Sequence, residues 1–172
     1  MERKVQMNFR EGEYVVYAAN EVCKYSGVVT KCFDGKNNVD YCMLLPVYSS
    51  NSAYYVPLDK LEEKVRHLLS KDELLKIINE VSGEKIPWEA DRNKRKTDFT
   101  AILKSNDFAK IFMMLRTIYD ERKLLEEKGK KLFAIDERAF NEAERLVRQE
   151  FSIVLEMNEN EVYEYIKKCF GN

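Results

Sequence analysis

Lys85 to Phe99 reads KIPWEADRNKRKTDF, and the character of the chain changes across it. The stretch holds the only tryptophan (Trp88), the last of three prolines (Pro87) and the densest basic cluster, Arg92, Lys94, Arg95 and Lys96. Upstream lies a strand-rich third, broken by turns and closing in one short helical segment. Downstream, almost every window repeats apolar residues three and four positions apart, the period of an amphipathic helix. The pattern predicts an α+β chain: a small β unit over residues 1–66, then an all-α bundle over 67–172. A lone large aromatic beside a run of cations, at the mouth of a helical unit, points to a surface that meets nucleic acid.

The totals narrow the classes. With 172 residues, 45% hydrophobic and 34% charged, the chain has the composition of a soluble protein with one domain or two small ones. No apolar run approaches the roughly 20 residues that cross a bilayer. The first residues, MERKVQMNFREGE, carry charges where a signal peptide needs an apolar stretch, so a cytoplasmic protein without membrane contact is expected. The formal net charge is -1. Residues 1–66 hold nine Lys/Arg and nine Asp/Glu, which leaves 20 and 21 of the 29 and 30 for the remainder. Any affinity for DNA must therefore come from local patches, and alone it is weak and salt-sensitive.

In the first third, FREGEYVVY (9–17) turns at Gly12 and runs into β-branched and aromatic residues. VCKYSGVVTKCF (22–33) predicts a long strand bent near Ser26 and Gly27, since glycine inside a strand marks a bulge. FDGKNN (33–38) is a hairpin turn, and VDYCMLLPVY (39–48) returns from it. After the SSNS loop, AYYVP (53–57) supplies a further strand. Four or five short, curved strands suit a small barrel or bent sheet. Tyr54 and Tyr55 are adjacent and so point to opposite faces. At least one of them is expected at the surface, where aromatics favour protein interfaces.

The helical part is punctuated by its own signals. SKDELLKIINEV (70–81) opens on a capping box, Ser70 with Glu73. A second helix starts near Asp91 and breaks at SND (105–107); a third runs from Phe108 to about Glu127. KGKKLFAI (128–135) is a connection with Gly129 as its stop signal, Phe140 to Val154 mark a fourth helix, and Asn158 with Glu161 caps a fifth. Interleaved apolar stripes of this kind describe a bundle whose Met and Phe residues form the core.

No residues suggest catalysis. The six glycines are scattered, no Ser or Cys sits in a nucleophile turn, and His67 is the only histidine. Cys23, Cys32, Cys42 and Cys169 lack metal-ligand spacing, even with His67, and disulfides are not expected in a reducing compartment. No enzyme, no metal and no cofactor are expected.

FREGEYVVY, the YCMLLP and YYVP strands, a short helix, the Trp with its basic neighbours, the KSND turn and the AERLV helix, in that order, resemble the CarD/CdnL family of bacterial RNA-polymerase-binding transcription regulators. The resemblance implies a Tudor-like RNA-polymerase-interacting domain that docks on the polymerase β subunit. It also implies a helical domain that contacts promoter DNA at the upstream edge of the bubble and stabilises the open complex. Carried over position by position, Lys31 stands where the family has a basic polymerase contact, and Tyr55 stands where it has another. With Tyr54 they form the expected polymerase-binding set. Trp88 takes the place of the family's minor-groove wedge, with Arg92, Lys94, Arg95 and Lys96 as the phosphate contacts.

Three departures qualify the carry-over. AANE (18–21) replaces the family's PxHG turn, Glu89 and Asp91 crowd Trp88, and the interval from Trp88 to the SND turn is about one helical turn longer. On residues alone Trp88 has two readings, an exposed wedge or a staple that Pro87 helps to fold against the bundle. At about 100° per residue the four cations cannot share one stripe of a helix. The partners implied are the polymerase and, weakly and non-specifically, promoter DNA reached from the polymerase; the protein itself is expected as a monomer or weak dimer. The alternative function is a protein-interaction adaptor that makes no direct DNA contact.

Overall fold

The computed structural model describes residues 8–17, 21–49 and 51–171. Most of the AANE segment, and the first seven residues, lie outside them. The chain divides into two compact units, Met1–Leu68 and Leu69–Asn172. The division falls after Leu68 rather than after Arg66, because residues 65–67 pair into the sheet.

The first unit is a five-stranded antiparallel sheet of β1 (Tyr14–Tyr17), β2 (Glu21–Lys31), β3 (Val39–Pro46), β4 (Tyr54–Pro57) and β5 (Val65–His67). The strand order is β4-β3-β2-β1-β5. β4 and β5 end that order without pairing to each other, so the sheet is open and bent, and the closed barrel among the expectations does not form. A 3-10 turn (Leu58–Lys60) and the one-turn helix α1 (Leu61–Lys64) carry the chain between the two end strands. Leu61, 2% exposed, fills the core from this crossover, in place of barrel closure.

The bend sits where the glycine predicts it. The β2–β3 register shifts between Tyr25 and Val28, and Gly27 has φ +104, a conformation that L side chains rarely adopt. A Cβ there would lie 2.8 Å from a carboxylate oxygen of Glu11. Alternation then separates the faces. Val15, Cys23, Tyr25, Cys42, Leu44 and Val56 turn inward to the core. Cross-strand partners of the other parity, Tyr14, Lys24 and Leu45 in one row and Lys31 with Val39 in another, turn outward. His67 on β5 stacks on Phe9 and its Nδ1 lies 2.6 Å from a Glu13 carboxylate oxygen, tying the last strand to the turn before the first.

The second unit contains α2 (Lys71–Val81), α3 (Arg92–Lys104), α4 (Phe108–Glu127), α5 (Ala134–Val154) and α6 (Glu159–Cys169). Capping boxes at Ser70/Glu73 and Asn158/Glu161 start α2 and α6; Asp91 and Asp107 cap α3 and α4. α5 begins at Ala134, inside the stretch expected as connection, because its N-cap is Phe133, which makes no side-chain cap and so gives no start signal. The core is assembled from all five helices around Phe112, Leu115, Phe151 and Val162. None of the described helices is long and apolar enough to cross a membrane.

Two predictions follow from local chemistry. Just past the C-cap of α5, Glu156 has φ 53, with the Met157 amide bonded to the Ser152 carbonyl at 3.1 Å, the left-handed closure that glycine favours. Glu156→Gly should stabilise this unit by about 0.5–1 kcal/mol in chemical denaturation, the relief of left-handed strain less the added chain entropy. Burial pushes the Cys23 thiol up to about 12 and the Cys42 thiol up to about 11, whereas Cys32 is exposed. Iodoacetamide at pH 8 should therefore alkylate Cys32 in the native protein and reach Cys23 and Cys42 only on unfolding, as read by peptide mass spectrometry.

Candidate functional site

On the outward face of the sheet an aromatic patch collects around the hairpin end. Phe33, 62% exposed, meets the Tyr41 ring at 5.1 Å and the Tyr55 ring at 5.4 Å, both edge-on. The Lys31 ammonium lies 5.9 Å from the Tyr55 centroid. The cluster arises because Tyr41 and Tyr55 have the same parity on neighbouring strands, in register with Pro57 and Met43, while Phe33 folds back from the turn. Asp34 holds that turn by accepting from the Lys36 and Asn37 amides, which draws its carboxyl down to about 2. An exposed aromatic surface with one cation fits the centre of a protein interface.

Tyr54 is not part of this patch. It pairs with Leu44 on the core side, packs 5.0 Å from Tyr17 and donates its hydroxyl to buried Glu21 at 3.0 Å. Expected to bind the polymerase alongside Tyr55, it lies on the opposite face of the sheet, since the pleat sends neighbours to opposite faces. Phe33 instead packs beside Tyr55 on the outward face. The sequence offered a sign of this, an aromatic directly ahead of a tight turn, where no strand partner covers it.

In the helical unit the segment before α3 is bound down along its length. Lys85 pairs with Asp120, and the Ile86 amide donates to Thr117 Oγ1 at 3.0 Å. Trp88 is half-buried, its ring edge-on to Phe99 at 6.1 Å. The Arg95 guanidinium lies over the indole, 4.4 Å from the ring centroid. Arg95 is 3% exposed and Asp136, its partner on α5, 1%. Nε and Nη2 donate to the two carboxylate oxygens of Asp136 at 2.8 and 2.7 Å, and Nη1 donates to the Glu89 carbonyl at 2.7 Å. Arg95 has no face left for a phosphate, so its expected DNA contact is withdrawn. It occupies the inward side of α3 beside Phe99, a place that a search for apolar residues does not assign to arginine.

The other cations divide. Lys94 pairs with Glu89, and its hydrogen bond holds the Glu89 carboxyl below the usual range. Lys96 is exposed and borders a surface hollow of about 560 Å³ with Asn93, Thr97, Thr100, Ala101 and Lys104. The exposed Arg92 stacks its guanidinium 3.9 Å from the centroid of Phe133, in the α4–α5 connection. This contact brings Arg92 to the end of the bundle where Lys130 and Lys131 line a hollow of about 710 Å³. The sequence signal for those lysines is the KGKK run, three lysines in four residues, inside what reads as a connection. Gly129 at φ +66 makes the sharp exit from α4 that places them. No group of three or more His, Cys, Asp or Glu among the described residues is arranged to hold a metal.

Residues 9–69 match the family model described as the CarD-like/TRCF RID domain. The first unit carries a CarD-like RID domain. The match spans the bent sheet, so the RID domain is the first unit, an RNA-polymerase-interacting domain with the Lys31–Phe33–Tyr55 patch on its outer face. It ends at Leu69, and the helical unit is read from its own geometry. No curated protein matches the chain.

The buried pair gives a sharp test of how the helical unit is held. Asp136→Ala strands the Arg95 charge in the interior and should destabilise that unit by about 3–5 kcal/mol in denaturant unfolding. A loss below about 1 kcal/mol, the range of exposed ion pairs, would show that the pair is not closed in solution.

Proposed function

We propose that the protein docks on the β subunit of RNA polymerase through the patch of its RID domain and contacts promoter DNA at the upstream edge of the bubble through its helical unit. The observation that carries the reading is the RID match together with an exposed aromatic face that includes Lys31. Lys31 supplies charge complementarity, and Phe33 and Tyr55 supply apolar contact. The DNA-facing residues are Trp88 with Arg92, Lys96, Lys130 and Lys131, four of the cations that form no ion pair among the described residues. Lys94 adds little while Glu89 neutralises it. No chemistry is performed. The regulator acts in the cytoplasm by shifting the equilibrium between closed and open promoter complexes.

The mechanism is tethering. A near-neutral chain with a few phosphate contacts binds free DNA poorly. Docked on polymerase, the same contacts operate at an effective concentration on the order of millimolar. A wedge worth about 1.4 kcal/mol then changes the open-complex population tenfold. The packing of Trp88 on Phe99 supports a second reading, the adaptor without DNA contact, since it leaves only part of the indole at the surface. Footprints of the polymerase complex separate the two, because the adaptor adds no protection at the upstream fork.

Two variants test the parts independently. Lys31→Glu should weaken co-purification with core polymerase about tenfold, or ~1.4 kcal/mol, with folding intact. Trp88→Ala should leave co-purification unchanged and shorten open-complex lifetime by about the same factor. An unaltered lifetime removes the indole from the DNA interface.

A further inference from the structure

Trp88 does not hold its own place. Its backbone segment is fastened at Ile86 by Thr117 and at Glu89 by Arg95, and its ring lies between the edge of Phe99 and the guanidinium of Arg95. Arg95 in turn is fixed by the two-point grip of Asp136, from a different helix. One carboxylate thus sets the position of a planar cation, and the cation sets both a carbonyl next to Trp88 and the plane against which the indole rests. A fork-to-fork carboxylate pair is the geometry best able to fix a guanidinium plane.

We propose that Asp136 is a positioning residue for Trp88, acting through Arg95 to hold the indole preorganised at the surface of the helical unit. The inference rests on the reading of Trp88 as the DNA-facing ring and adds what makes that ring effective. A large side chain that is already immobilised loses little freedom when it meets a base step, whereas a loose one is ordered at the expense of affinity. Asp136 touches no DNA in this scheme. Its part is geometric.

The test uses the full chain and its single tryptophan as the reporter. Asp136→Ala alone is uninformative if the bundle unfolds, so the main variant is the double replacement Arg95→Met with Asp136→Leu. Apolar replacement of a buried ion pair at similar volume is commonly neutral or stabilising. The bundle should therefore fold with its melting temperature kept, while the grip on the Glu89 carbonyl and the stacked cation are gone. Acrylamide quenching of Trp88 should rise and its fluorescence anisotropy decay should quicken. In polymerase complexes the open-complex lifetime should shorten roughly two- to tenfold, the range expected for releasing one large side chain. Co-purification with polymerase should be unchanged.

A folded double variant with wild-type quenching and anisotropy overturns the inference. So does one in which the indole loosens while the lifetime stays at the wild-type value, provided that Trp88→Ala shortens it. If Trp88→Ala itself leaves the lifetime unchanged, the DNA-facing reading fails first and the proposed role falls with it. Those two failures are distinguished by the single-residue control. A purely structural role for Asp136 predicts the opposite pattern, in which lifetime follows melting temperature and the double variant behaves as wild type.

Discussion

The buried pair of Arg95 and Asp136 is the constraint on which the helical unit's organisation turns. Taking two ions out of water costs several kcal/mol each, and their attraction offsets this only when the remaining hydrogen-bonding capacity is also used. Here both carboxylate oxygens are engaged and the third nitrogen of the guanidinium finds a backbone carbonyl. An apolar pair would hold α3 to α5 with similar strength but without a preferred angle. The ionic pair demands a particular register between the helices, and through Glu89 it also draws in the segment that carries Trp88. The half-buried state of the indole is a result of that demand. It is neither loose in solvent nor sealed in the core, and the wedge and staple readings describe two sides of one ring.

The RID domain solves a related problem with backbone geometry. Its sheet must bury one face and offer the other, and a strand slipped by one residue would exchange them. The bulge at Gly27 absorbs the irregularity without reversing the parity of β3 and β4, so Cys42, Leu44 and Val56 remain inside while Tyr41 and Tyr55 remain outside. The crossover through Leu61 fills the space that further strands would occupy in a barrel. An open sheet results, and the same pleat that turns Tyr54 to the core side brings Phe33, Tyr41 and Tyr55 together on the outward face.

What the sequence made legible follows from the range of the interactions involved. The bend at Gly27, the capping boxes at Ser70 and Asn158 and the start of α3 at Asp91 depend on neighbours within four residues, and each is readable where it stands. β5 was not read because three residues are too few to show a period, and its existence depends on pairing with β1 across the unit. Arg95 was misassigned for a similar reason. Nothing local distinguishes it from Arg92 and Lys96, and its burial becomes apparent only when Asp136, far along the chain, is placed opposite. The lysines at 130 and 131 carried a local charge signal but no neighbouring aromatic, and only the contact between Arg92 and Phe133 joins them to the rest.

This redistribution of cations bears on how weak the proposed DNA surface must be. Much of the positive charge in the helical unit is neutralised in place, Lys85 by Asp120, Lys94 by Glu89, Arg95 by Asp136 and Arg122 by Glu137. If Arg92, Lys96, Lys130 and Lys131 each meet one phosphate, the salt dependence of binding corresponds to about four released counterions. Affinity then falls by roughly a hundredfold between 50 and 200 mM salt. A surface so sparse cannot find a promoter by its own attraction. It can act only where another contact fixes its address, and a polymerase-interacting domain in the same chain is the kind of contact that does so. Weakness is then useful, since a helical unit that gripped DNA strongly would occupy the many non-specific sites of a genome.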